Sequence, residues 1–363
     1  MKRVGNAFKG ILGGFICLAI GIVLLWWNEG NNVRNIRSTA EMEKTYIDVS
    51  SDKVDAANEG KLIATYGKLL NEEELTDTTF NVTVKTPVLK RIVEVYQWDE
   101  DSSTDDDGDT TYTYKKVWSS DIIDSGNFHQ SGHENPKVKL YEDATYTSND
   151  VKVGAFALSS NQIKTLSTEG TFTDYDLEKM NELKLNIVGN YVTTSEDLNN
   201  PKIGDTRISI VYNNSTDVSV LAVQTGYSFS DFVSKEGRSI NRVMDGVHSG
   251  IEMINIIRQE DNMLKWILRL AGILLLAMGF ATILKPISAV TSYVPLLGNL
   301  VGAAVGLVAF VLGLCLGFVV IAIAWIRFRP VLGIGLLAAA AVLIVLLVIR
   351  GKKSKPEEPV VQQ

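Results

Sequence analysis

VPLLGNLVGAAVGLVAFVLGLCLGFVVIAIAW, the stretch from Val294 to Trp325, contains no charged residue and carries a ladder of small ones. Gly298, Gly302, Gly306, Ala309, Gly313 and Gly317 recur at steps of three or four, which places them on one face of an α-helix. A segment this apolar has lipid as its natural solvent. Helices in lipid gain little from the hydrophobic effect and associate by bringing their backbones close across small residues. The ladder is therefore read as a helix-packing face. It can meet this chain's own helices or those of a neighbour.

Three further runs reach the length needed to cross a hydrocarbon core of about 30 Å. The expected spans are residues 10–27, 264–284, 294–326 and 331–349, which makes four transmembrane helices, one N-terminal and three C-terminal. Lys2, Arg3 and Lys9 precede the first span, and Arg350, Lys352, Lys353 and Lys355 follow the last. The positive-inside rule puts both ends in the cytoplasm, and four spans permit that. Residues 1–9, 285–293 and 350–363 are then cytoplasmic, and residues 28–263 form one extracytoplasmic domain. Arg327 and Arg329, in a tight outer hairpin, run against the rule. The first span reads as an uncleaved anchor: no Ala-x-Ala-like site follows it, and it ends in Trp26-Trp27-Asn28-Glu29-Gly30 with an aromatic pair suited to the interface.

The chain's acidity lies in the hydrophilic block. Residues 28–263 hold 40 Asp and Glu against 23 Lys and Arg, a net charge of −17. Nucleic-acid binding needs basic patches, so this block argues against it. Both cysteines, Cys17 and Cys315, sit inside expected spans. The outer domain thus has no disulfide and must be held by its core.

The outer domain reads as α+β. Asn31 to Lys53 is helix or linker, and Leu62 to Gly67 is a strand entered through the turn at Asn58-Glu59-Gly60. Strands are also expected around Phe80, Val82 and Val84, over Val88 to Trp98, over Val151 to Leu158, over Leu185 to Thr194 and over Ile203 to Tyr212. Val218 to Phe229 reads as a hairpin, and a longer one joins Val93–Trp98 to Tyr112–Trp118 through the acidic run Asp99 to Asp109. From Ile240 to Arg258 the period becomes helical, with Val243, Val247, Ile251, Ile254 and Ile257 on one side, giving an amphipathic helix that leads into the second span. Arg269, one turn into that span, is expected to snorkel to the interface. Asn81, Asn213 and Asn214 stand in glycosylation sequons.

Candidate chemistry was tested motif by motif. Aligning Gly108 with the EF-hand turn glycine puts Ser103 at the first ligand position and Tyr114 where the bidentate Glu belongs, so the calcium pattern fails. His129 and His133 are four apart, but Gly132 and Pro136 disfavour a helix and no Glu directly follows His129. No nucleophile elbow, phosphate loop or dinucleotide pattern occurs. The expectation is a protein that is not an enzyme, with no cofactor, catalytic or metal site. Midplane charges of the kind that mark channels and transporters are missing from the third and fourth spans.

The order of one span, a large outer domain and three spans is joined by specific segments: Asn28-Glu29-Gly30, Asn58-Glu59-Gly60-Lys61-Leu62, Leu89-Lys90-Arg91 through Tyr96-Gln97-Trp98, Gly132-His133-Glu134-Asn135-Pro136, Pro201 to Arg207, and Trp325-Ile326-Arg327-Phe328-Arg329-Pro330. In these the chain resembles the LUMA family, the transmembrane protein forty-three family. The resemblance implies a multi-pass protein of the endoplasmic reticulum and inner nuclear membrane in animals, with bacterial relatives, that organises membrane protein complexes. It transfers no catalytic residue. The expected partners are the lipid bilayer, further copies of the chain as a homo-oligomer, and other membrane proteins. The short segment before the first span departs from animal members and points to a bacterial inner membrane with a periplasmic domain.

Overall fold

The computed structural model describes residues 2–104, 109–291, 295–331 and 334. These divide into two units, a helical one reaching to Arg37 and resuming at Gln259, and a β-rich one from Ser38 to Arg258.

In the β-rich unit one seven-stranded sheet has the order β15-β14-β2-β8-β9, with β1 joined to β2 and β18 to β14. Its members are β1 (Ile47–Asp48), β2 (Leu62–Asn71), β8 (Val151–Val153), β9 (Phe156–Ala157), β14 (Asp217–Thr225), β15 (Ser228–Ser230) and β18 (Arg242–Asp245). β2 is covered on both faces, which explains its run of apolar residues without alternation. Ile63 enters a core with Val151, Val153, Phe156, Val218, Val220 and Val243. Leu62 and Ala64 point the other way, into a second core with Met42, Leu221, Met253, Ile254 and Ile257. The short helix α2 (Ser160–Thr165) seals the first core through Ile163, and its start is set by a capping box of Ser159 with Gln162.

The other seven-stranded sheet runs β11-β12-β13-β5-β6, with β10 on β13 and β7 on β5. It comprises β5 (Val88–Thr104), β6 (Thr110–Ser119), β7 (Ala144–Thr147), β10 (Gly170–Thr171), β11 (Asn186–Val188), β12 (Tyr191–Thr193) and β13 (Thr206–Tyr212). Alternate residues of β5 and β13, namely Leu89, Val93, Ile208 and Ile210, pack with Phe80, Tyr175 and Met180. Met180 lies on α3 (Leu177–Glu182), which is capped by Asp176. Two small hairpins, β3 (Glu74–Asp77) with β4 (Val82–Lys85) and β16 (Phe232–Val233) with β17 (Ser239–Ile240), complete the strands among the described residues.

Among the described residues three long helices remain: α1 (Lys2–Thr45), α4 (Gly250–Thr291) and α5 (Pro295–Phe328). Each is long and apolar enough to cross a membrane. The expected span 331–349 and tail 350–363 lie outside the described residues, except for Val331 and Ile334.

Several expectations require correction. The domain is more β than α, with two short helices of its own. The expected single strand at 151–158 is a tight hairpin, and that at 185–194 is another, turning at Gly189 with φ +61°. The stretch 240–258 is not one helix: Val243 pairs with Val220 as sheet, and Gly246 at φ +84° breaks the chain. The helix starts only at Gly250, where Ser249 and Glu252 exchange side-chain and backbone hydrogen bonds. Residues 285–291, expected in a loop, continue α4 with Pro286 inside it. No glycine flanks the proline, and the helix loses one backbone bond there without ending.

Candidate functional site

Glu29 is the polar centre of the helical unit. It is 1% exposed and lies on α1, two residues beyond the aromatic pair that closes the apolar run. A carboxylate placed there is tolerable only if its charge is met and its oxygens are hydrogen-bonded. Both conditions hold. Arg269 of α4 donates its Nε to Glu29 Oε1 at 2.6 Å, and Trp325 of α5 donates its indole Nε1 to Glu29 Oε2 at 2.8 Å. The guanidinium also lies over the rings of Trp266 and Trp325, 4.7 and 5.9 Å from their centroids. Next to it, Asn28 donates Nδ2 to the carbonyl of Lys265 at 3.0 Å. One carboxylate thus ties three helices together.

Arg269 therefore does not snorkel. It is 9% exposed and turned inward, onto the full negative charge of Glu29 on α1. The sequence held a signal for this: an acid directly after one span and an arginine one turn inside another.

Below the ion pair the helices approach through glycine. A β-carbon on Gly14 would lie 2.8 Å from Gly279 O, and one on Gly279 would lie 2.9 Å from Gly14 O. Seven residues along each helix the pattern recurs, with Gly21 against Leu276 and the Gly272 carbonyl, and Gly272 against Leu25. This heptad-spaced antiparallel contact engages glycines of the first and second spans. Leu25, Leu276, Val320 and Ile321 fill the space between α1, α4 and α5.

The ladder on α5 divides along its length. Gly313 meets the Ala277 backbone and Gly317 meets Ile273, so both seat on α4 of the same chain. Ala309 is 1% exposed and Gly302 is buried. Among the described residues, Gly306 has no heavy atom within 4 Å of where its β-carbon would stand. Gly298 is in α5, but its surroundings lie outside the described residues.

Among the described residues no group of three or more His, Cys, Asp or Glu side chains is placed to hold a metal. His129 and His133 instead stack flat on Tyr112 and Tyr114, at ring separations of 4.0 and 3.8 Å. His133 also meets the edge of Trp98, and Asn135 bridges Trp98 N and O as a strand would. The motif Gly132 to Pro136 is thus a clasp on the long hairpin, with Glu100 accepting hydrogen bonds from Tyr114 and from the backbone of His129. Asp99 and Asp101 of the acidic run are paired with Lys115, while residues 105–108 lie outside the described set.

Comparison with known proteins finds relatives over most of the chain. The family model described as Transmembrane protein 43 matches residues 95–330. Transmembrane protein 43 of Mus musculus is 28% identical over 97% of this chain and 93% of its own length. The Homo sapiens protein is 28% identical over 96% of this chain and 92% of its own. The Drosophila melanogaster homolog is 28% identical, covering 91% and 92%. No solved structure matches the chain.

Proposed function

Because the chain belongs to the Transmembrane protein 43 family, an integral membrane family, we propose that it is a membrane scaffold. It self-associates through its transmembrane helices and gathers other membrane proteins through its β-rich domain. The observation that carries this reading is the division of the α5 ladder. One face docks on α4 at Gly313 and Gly317, and among the described residues nothing covers it at Gly306, which would offer a second helix the same close approach. The ion pair at Glu29 gives this bundle a rigid end against which such a face can be held in register. A purely structural cluster with no adjoining polar path through the described helices favours assembly over ion passage.

The extracytoplasmic placement of the β-rich domain follows from the basic residues at both chain ends. The relatives named above are animal proteins and lend no support to a bacterial inner membrane; the scaffold reading does not depend on which membrane is used.

The test is the mass of the protein in mild detergent, measured by light scattering, for the natural chain and for Gly306→Leu. A drop to the monomer with unchanged thermal stability supports the reading. A natural chain that is monomeric at every detergent level defeats it.

A further inference from the structure

The last two turns of the apolar run on α1 carry a groove that leads from lipid-facing side chains to a cation. A cavity of about 400 Å³ is lined by Ile22, Trp26, Trp27, Gly30, Arg34 and Phe328. Ile22, Trp26, Gly30 and Arg34 follow at steps of four, so they form one stripe about 18 Å long from first to last. Phe328 of α5 forms the wall. Its ring lies 5.4 Å from that of Trp26, and its atoms come within 2.8 Å of where a Gly30 β-carbon would be. The Arg327 guanidinium lies over the same ring at 5.7 Å. A second depression, lined by Ala19, Ile20, Val23, Leu24 and Trp27, flanks the other side of the ridge made by Val23 and Trp27.

The chemistry along the stripe is one-directional. On the stripe itself Ile22, Trp26 and Gly30 carry no charged side chain, and the polar end is the exposed guanidinium of Arg34. Arg34 donates to Asn31 Oδ1 at 3.4 Å, and among the described residues no carboxylate pairs with it. Arginine matches phosphate oxygens in a planar, two-pronged geometry, and tryptophan settles at the level of lipid headgroups. A diacyl lipid fits both features, because its chains can lie in the two depressions on either side of Val23 and Trp27 while its phosphate reaches Arg34.

We propose that this groove is a binding site for one phosphate-bearing diacyl lipid of the surrounding bilayer, held by Arg34 at the headgroup and by Trp26, Trp27 and Phe328 along the chains. Removing the charged hydrogen bond should weaken binding roughly tenfold.

The experiment is native mass spectrometry of the full chain, delipidated in detergent and titrated with dioleoyl phosphatidylglycerol, with dioleoylglycerol and with inorganic phosphate. The natural chain should retain one phosphatidylglycerol under activation that strips the others, bind dioleoylglycerol more weakly, and lose no lipid to millimolar phosphate. Arg34→Gln should lower occupancy about tenfold, Arg34→Lys should restore part of it, and Val23→Trp, which fills the groove mouth, should lower it without a change in melting temperature. Lys53→Gln, a charge removed elsewhere, should bind as the natural chain does. Equal retention by Arg34→Gln and the natural chain, equal binding of dioleoylglycerol, or displacement of the lipid by phosphate would each overturn the proposal.

Discussion

Gly14 and Gly279 approach so closely that a β-carbon on either would stand within 3 Å of the other's carbonyl oxygen. Real β-carbons do not occupy such positions, so any larger residue there must push α1 and α4 apart. Gly279→Leu should therefore lower the detergent melting temperature by an amount corresponding to about 1–3 kcal/mol or more of overpacking. Gly306→Leu should leave it within about 0.5 kcal/mol, since no described residue stands against that site. Equal losses at the two positions would refute the division of packing roles.

The Glu29–Arg269 pair predicts a double-mutant cycle with large coupling. Glu29→Leu leaves the guanidinium buried without its anion and should cost about 3–5 kcal/mol, as should Arg269→Met for the carboxylate. The combination Glu29→Leu with Arg269→Met should cost less than either single change, because no charge is then left unmatched. Additive losses measured by thermal unfolding would mean that the two side chains act independently.

Acid should act on the β-rich unit through Glu73. Its Oε2 accepts hydrogen bonds from the Asn149 backbone at 2.9 Å and the Ser148 hydroxyl at 2.8 Å, and these hold its carboxyl below the usual glutamate range. The folded state therefore prefers the ionised form. The resulting stabilisation is full above the unfolded pKa of about 4.3 and fades as pH falls through the lower folded value. Glu73→Gln should flatten the stability profile below about pH 4.5 and leave its shape above pH 6 unchanged. Unfolding curves recorded across that window decide it.

The clasp on the long hairpin should come loose when its ring stack is removed. His133→Ala takes away the partner of both Tyr114 and Trp98, so amides of 128–135 should exchange with deuterium at least several-fold faster. Sheet amides of β13 should keep their protection. A uniform rise across both would instead indicate global destabilisation.

Much of this architecture was legible in the residues. Continuous apolar runs marked α1, α4 and α5, and the expected hairpins of Val93–Trp98 with Tyr112–Trp118 and of Val218–Phe229 are both formed. The misreadings share a cause: periodicity reports which side of a segment is buried, not which hydrogen bonds it makes. Val243, Val247 and Ile251 have helical spacing, yet Val243 is drawn into the sheet by β14, and only the Ser249–Glu252 cap shows where the helix starts. Pairings across hundreds of residues were the hardest to see. Nothing local to Glu29 names Arg269 and Trp325 as its partners, and nothing local to His133 reveals that it will lie flat on Tyr114.

The three-helix junction at Glu29 also orders events in time. Its acid is synthesised 240 residues before the arginine and 296 before the tryptophan that satisfy it. Until α5 is in place, one carboxylate oxygen lacks its donor at the edge of the lipid. A chain truncated before Trp325 would leave Glu29 Oε2 without its indole donor, so the junction closes only once α5 has joined α1 and α4.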